Sequence, residues 1–244
     1  STAKDVKYNF EQTFADLNNI YSKYKLAKSH LIGHSFGGIV ATLFAKSFPE
    51  KISSVILVGA PVSLQETFKT IISKSRSIYI SKSDSINLNY IKMLEKLDTN
   101  SLMYSSYCFM HAMQNNFYSP KILSEQSKNI LTKIKSDTAV AKLASNMTFQ
   151  APKGFWENEK YTTINLTETI NLLVESKIKI YGIYGKEDGL YSEEQVMSLS
   201  NLIGPDNLRY LSNCSHNAFI DRQDEFVELL DLWINSKTIY KQRD

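Results

Sequence analysis

The chain has 244 residues, with 28 Lys+Arg against 25 Asp+Glu and a formal net charge of +3. Such a balance, with the basic residues scattered, excludes a dedicated nucleic-acid binder, and 43% apolar with 11% aromatic residues excludes disorder. No run approaches the roughly 18–20 apolar residues needed to cross a bilayer, and two cysteines, Cys108 and Cys214, make neither a zinc cluster nor a secreted disulfide framework and read as buried thiols.

Phe14, Leu17, Tyr21 and Tyr24 recur at helical spacing behind a capping pair, Asn9 and Gln12. Ser29 to Gly33 reads as a buried strand, Gly33-His34-Ser35-Phe36-Gly37-Gly38 follows it, and Ile39, Val40, Leu43 and Phe44 mark a second helix closed before Pro49. Ile52 to Val58 is the next strand. Of the nine glycines only Gly154 falls within 62–165, so that stretch reads as a helical insert between α/β flanks. Within it Ser63 with Glu66 caps one helix, Leu88, Ile91 and Leu94 mark another, Leu102 to Met113 a third, and Asn165 with Glu168 caps a fourth. Lys128, Lys133 and Lys135 read as the polar face of a helix. Beyond the insert, Ile178 to Tyr184 is a strand, Ser192 with Gln195 is a capping box, Leu208 to Leu211 is a short strand, and Phe226, Leu229, Leu230 and Trp233 mark a last helix. Lys237, Lys241 and Arg243 read as a solvated tail. Strands alternating with helices predict an α/β fold with a parallel sheet flanked by helices, its core made of 1–61 and 166–244.

The chemistry concentrates at Gly33-x-Ser35-x-Gly37. A serine is thrust out of a sharp strand–turn–helix corner only where the flanking residues are tiny, so Gly33 and Gly37 read as the space-clearing positions, with His34 and Gly38 completing the elbow. The competing reading is a glycine turn whose serine merely caps the helix. A serine hydroxyl needs a base, and the base needs an orienting group. Of four histidines, His216 stands in the loop after the last strand, whereas His30, His34 and His111 read as structural. Asp188 follows the strand ending at Tyr184, in a turn at the same end of the sheet, where open α/β sheets place their ligands; Glu187 is the fallback acid. Met103, Tyr107 and Met110 on the third helix of the insert could line an adaptable apolar substrate pocket, or else pack the insert on the core.

The elbow at Ser35, the run Tyr184-Gly185-Lys186-Glu187-Asp188-Gly189 and the run Cys214-Ser215-His216-Asn217 together resemble the α/β-hydrolase fold family, in its capped branch, with a general similarity to its prolyl-aminopeptidase-like and esterase-like members. The resemblance implies acylation of Ser35, proton transfer by His216, orientation of that imidazole by Asp188, and an oxyanion donor in the backbone N–H of Phe36. It implies a helical cap at 62–165, a small-molecule or short-peptide substrate, no cofactor and no metal. It leaves an esterase and a prolyl-aminopeptidase as alternatives, and a non-catalytic binding protein on the same fold as a reading of another class. A cytoplasmic location is expected. The family places several strands before the elbow, whereas 34 residues precede Ser35 here. The expectation is therefore a sheet lacking its N-terminal strands, with an open apolar edge that a missing N-terminal segment or a companion chain would complete.

Overall fold

A computed structural model describes residues 7–145 and 148–235. The predicted tail at Lys237, Lys241 and Arg243 lies outside the described residues. Helix α1 (Phe10–Lys23) is capped as its sequence predicts, Asn9 accepting from the Gln12 N–H. The first strand and helix, β1 (Ser29–His34) and α2 (Phe36–Ser47), lead through a 3-10 turn at Pro49–Lys51 into β2 (Ile52–Val58).

The chain then leaves the sheet for a helical segment. It begins with α3 (Leu64–Ser81), α4 (Ser85–Leu94) and α5 (Leu102–Gln114) and continues with α6 (Glu125–Ser136), α7 (Thr138–Ser145) and α8 (Gln150–Glu159); α9 (Thr167–Glu175) follows it, back against the sheet. Its entry and exit are pinned together: Leu64 N–H donates to Ile164 O at 3.1 Å and Leu166 N–H to Val62 O at 2.7 Å. Asn165 does not cap α9, as the sequence suggested. Leu166 is the capping residue, and Asn165 accepts from the Thr167 N–H, because the chain at Asn165 is committed to the bridge with Ser63.

Beyond this segment come β3 (Lys179–Gly185), α10 (Glu193–Ile203), β4 (Leu208–Leu211), the short α11 (Ala218–Asp221) and α12 (Gln223–Asn235). The predicted capping box at Ser192 and Gln195 is formed. All four strands are parallel, in the order β1-β2-β3-β4.

Alternation along β2 and β3 explains the layering. Val55, Leu57, Ile180 and Tyr184 point into a core shared with α2, α9 and α10. Ile56, Val58 and Ile183 point the other way, toward Ala218, Leu229 and Trp233. Burial on both faces is what makes these strands continuous apolar runs. Trp233 stacks on Tyr181 at 4.5 Å between ring centroids. β1 differs. It is an end strand, its outer edge has no partner strand among the described residues, and Ile32 on it is 48% exposed. No helix among the described residues is long and apolar enough to cross a membrane.

Candidate active site

Ser35 sits between β1 and α2 at φ 52°, ψ −127°, a left-handed backbone that side-chain-bearing residues rarely adopt. Holding it costs on the order of 1–3 kcal/mol. The corner persists because Ser35 N–H donates to Val58 O at 3.0 Å and Gly38 N–H to Ser35 O at 2.9 Å. The Ser35 side chain makes no capping bond to α2, which removes the reading of a mere helix cap. Phe36, the first residue of that helix, has an N–H with no acceptor in the helix itself.

The glycines divide the steric work differently from the sequence expectation. A Cβ on Gly33 would stand 2.5 Å from Gly37 O and from Gly38 Cα, and one on Gly38 would stand 2.3 Å from the Ala60 Cβ. A Cβ on Gly37 would meet nothing within 4 Å. Gly33 and Gly38, rather than Gly33 and Gly37, clear the space, because the tight approach comes from the end of β2 across the sheet. Gly37→Ala is therefore expected to leave the thermal midpoint unchanged or to raise it slightly, alanine being the better helix former by about 1 kcal/mol. Gly38→Ala is expected to lower it by several degrees; differential scanning calorimetry of the pair decides.

Asp188 and His216 come into direct contact. His216 Nδ1 and Asp188 Oδ2 are 2.9 Å apart, and both residues are buried. A carboxylate can only accept, so Nδ1 carries the proton and Nε2 is left as the acceptor of the ring. The second carboxylate oxygen, Oδ1, accepts from the Leu190 N–H at 2.9 Å. Glu187 points elsewhere, its Oε2 accepting from the Lys121 N–H at 2.6 Å.

Ser35 follows β1, Asp188 follows β3 and His216 follows β4, all at the C-terminal edge of the sheet, and it is His34, next to Ser35 in the chain, that contacts the loop of His216. His34 Nε2 donates to the His216 carbonyl at 3.1 Å, and the two rings lie 4.8 Å apart. Phe219 meets the His34 ring edge-on at 5.0 Å. Burial pushes His34 below its ordinary pKa, and the neighbouring His216 adds to this, so His34 is held in its neutral form. The sequence reading assigned His34 only a structural place; its contact with the loop of His216 could not be read from the chain.

The helical segment reaches the site at two points. Phe155 of α8 and Tyr161 pack edge-on against Phe36 at 5.3 and 5.7 Å. Tyr118 packs edge-on against His216 at 5.2 Å, and Ser215 Oγ donates to the Phe117 carbonyl at 3.0 Å. Burial, with the charge of Asp188, drives the Tyr118 hydroxyl up to about 12, so it stays a neutral group beside the imidazole. On the other side Tyr191 lies over His216, and its hydroxyl donates to Gly59 O at 2.7 Å. Neither tyrosine carries a local signal in the sequence.

Met103, Tyr107 and Met110 do come together, in a groove of about 540 Å³ shared with Tyr90, Met93 and Leu97. Ser35, Asp188 and His216 do not line it. α5 turns its other face inward, where Tyr104 and Phe109 meet Phe68 of α3. On the helical segment Glu125 pairs with Lys128, Glu157 pairs with Lys153, and Glu159 accepts from the Phe10 N–H. Cys108 and Cys214 are free, buried thiols raised to about 12 by burial, and inert.

The family described as the alpha/beta hydrolase fold matches residues 1–223. A 2-hydroxy-6-oxo-2,4-heptadienoate hydrolase of Pseudomonas putida is 20% identical over 227 residues, covering 93% of this chain and 70% of that protein. A proline iminopeptidase of Lacticaseibacillus rhamnosus is 23% identical over 214 residues, covering 86% of this chain and 67% of that protein. Among solved structures, a meta-cleavage product hydrolase from Pseudomonas fluorescens IP01 superposes with a TM-score of 0.57 at 15% identity, over 98% of this chain and 76% of that one.

Proposed function

Because the chain belongs to the α/β hydrolase fold family, we propose that it is a serine hydrolase that cleaves an ester or amide of a small substrate through an acyl-enzyme. The observation that carries the reading is the buried His216–Asp188 hydrogen bond beside a serine held at a positive φ with an uncapped hydroxyl. In this reading Ser35 Oγ attacks the substrate carbonyl while His216 Nε2 takes its proton, and Asp188 stabilises the imidazolium through Nδ1–H. The Phe36 N–H stabilises the developing oxyanion; the imidazolium gives its proton to the departing alcohol or amine as the carbonyl–heteroatom bond breaks. The regenerated neutral imidazole then deprotonates the water that attacks the acyl-enzyme, releasing the acid and returning the proton to Ser35. The segment 62–165 acts as the cap, with Phe155 and Tyr118 as its points of contact over the site.

Two of the relatives bear the names of a 2-hydroxy-6-oxo-2,4-heptadienoate hydrolase and of a proline iminopeptidase, and similarity at this level leaves the scissile bond open. A binding protein retaining the site as a relic is the reading of another class. A panel of p-nitrophenyl esters against proline p-nitroanilide, with fluorophosphonate labelling followed by intact mass, tests all three. Hydrolysis of short acyl esters with one phosphonate adduct is expected. Faster cleavage of the anilide would favour the peptidase, and no adduct on folded protein would favour the binding protein.

The open outer edge of β1 is proposed to be paired by an extended segment from a preceding stretch of chain or a companion chain.

A further inference from the structure

Lys74 lies on α3, in the helical segment, yet its ammonium group is spent on the loop that carries the acid. Nζ donates to the Asp188 carbonyl at 3.1 Å and to the Tyr191 carbonyl at 2.7 Å. One turn earlier on the same helix, Thr70 Oγ1 donates to Gln195 Oε1 at 2.8 Å, in the capping box that opens α10. The acid turn is held by the segment once more at Gly189, whose N–H donates to the Phe117 carbonyl at 3.0 Å. Tyr191, the far end of the turn, packs against His216. A single ammonium thus bridges both ends of the turn from Asp188 to Tyr191, and it does so from the first helix of the segment that leaves the sheet after β2.

We propose that Lys74 is a positioning residue that couples the seating of α3 to the alignment of Asp188 with His216. This rests on the reading of Asp188 as the acid of the site. Asp188 hydrogen-bonds through its side chain to His216, so a shift of its backbone carries over to the imidazole. A base displaced by an ångström costs up to about 100-fold in rate. With α3 lifted, the two carbonyls lose their common donor and the turn is free to relax. With α3 seated, both are fixed. Burial lowers the Lys74 pKa, while the charges of Asp188 and Glu194 oppose that shift.

Lys74→Met keeps the aliphatic stem and removes the donor. Lys74→Arg retains a charged donor, and Lys69→Met, at an exposed position on the same helix paired with Glu66, is the matched control. The expected result for Lys74→Met is a 10- to 100-fold lower rate of fluorophosphonate labelling and of kcat, with KM within about 2-fold. Faster hydrogen exchange at the Gly189 and Leu190 amides is expected beside it. Partial recovery is expected in Lys74→Arg, and none of these changes in Lys69→Met. A folded Lys74→Met protein that labels at the wild-type rate overturns the proposal, as does a loss that only tracks the folded fraction. If the wild type itself is never labelled, the serine-hydrolase reading fails. Amide exchange then decides separately whether Lys74 fixes the turn, and unchanged exchange in Lys74→Met would refute that as well.

Discussion

Replacing Ser35 by alanine is expected to abolish the phosphonate adduct and to lower ester hydrolysis by about 10⁴–10⁶, the loss that removal of an acylated serine entails. Two features make this variant informative. The Ser35 side chain makes no capping bond, so its removal strands no buried partner, and the stability change should stay within about 0.5 kcal/mol. Loss of activity then belongs to chemistry and not to unfolding. The backbone at φ 52° is equally strained for alanine and relaxed for glycine. Ser35→Gly is therefore expected to be as inactive as Ser35→Ala but more stable than the wild type by about 1 kcal/mol or more, read as a rise in thermal midpoint. That pairing of gain and loss is the mark of strain kept for function. Retention of the adduct in Ser35→Ala, or a Ser35→Gly protein no more stable than the parent, would refute the argument.

What the sequence made legible follows from how each signal is encoded. β2 was readable end to end, since a strand buried on both faces is a short apolar run between turns, and β4 was readable from the two buried leucines that bound it, Leu208 and Leu211. The turns that carry Ser35, Asp188 and His216 were readable because each is glycine-rich or polar and stands directly after an apolar run. α8 left little trace, since none of its residues is buried and no apolar stripe is required of it. α5 is apolar on several sides, and packing against α3 decides which side meets the core; hence Met103, Tyr107 and Met110 form a groove with α4 rather than a pocket at Ser35. The exchange of roles between Gly37 and Gly38 has the same origin, because the crowding atom belongs to Ala60, in the loop that follows β2. Tyr118 and Lys74 reach the site from the far side of a long insertion, and no local pattern announces such contacts.

Asp188→Asn is expected to lower kcat by about 10⁴ while leaving the fold intact. The carboxylate accepts two hydrogen bonds, from the Leu190 N–H through Oδ1 and from His216 Nδ1 through Oδ2. An asparagine can keep one of these. If its oxygen stays with Leu190, its NH₂ faces Nδ1 and the imidazole must carry its proton on Nε2 instead. That ring can no longer receive a proton from Ser35, although every heavy atom stays near its place. If the amide turns over, His216 keeps its tautomer, but the Leu190 N–H is left facing a donor inside a buried turn. The second arrangement costs about 1–3 kcal/mol for the unsatisfied group, so the inactive tautomer is favoured. Glu187→Gln is the control that separates the acid from its neighbour. Its carboxylate receives only the Lys121 N–H, which an amide oxygen also accepts, and activity is expected to fall by less than about 2-fold. Equal losses in the two variants would mean that the charge of the turn, rather than the orientation of His216 by Asp188, supports the reaction; a loss confined to Asp188→Asn ties the chemistry to that one hydrogen bond.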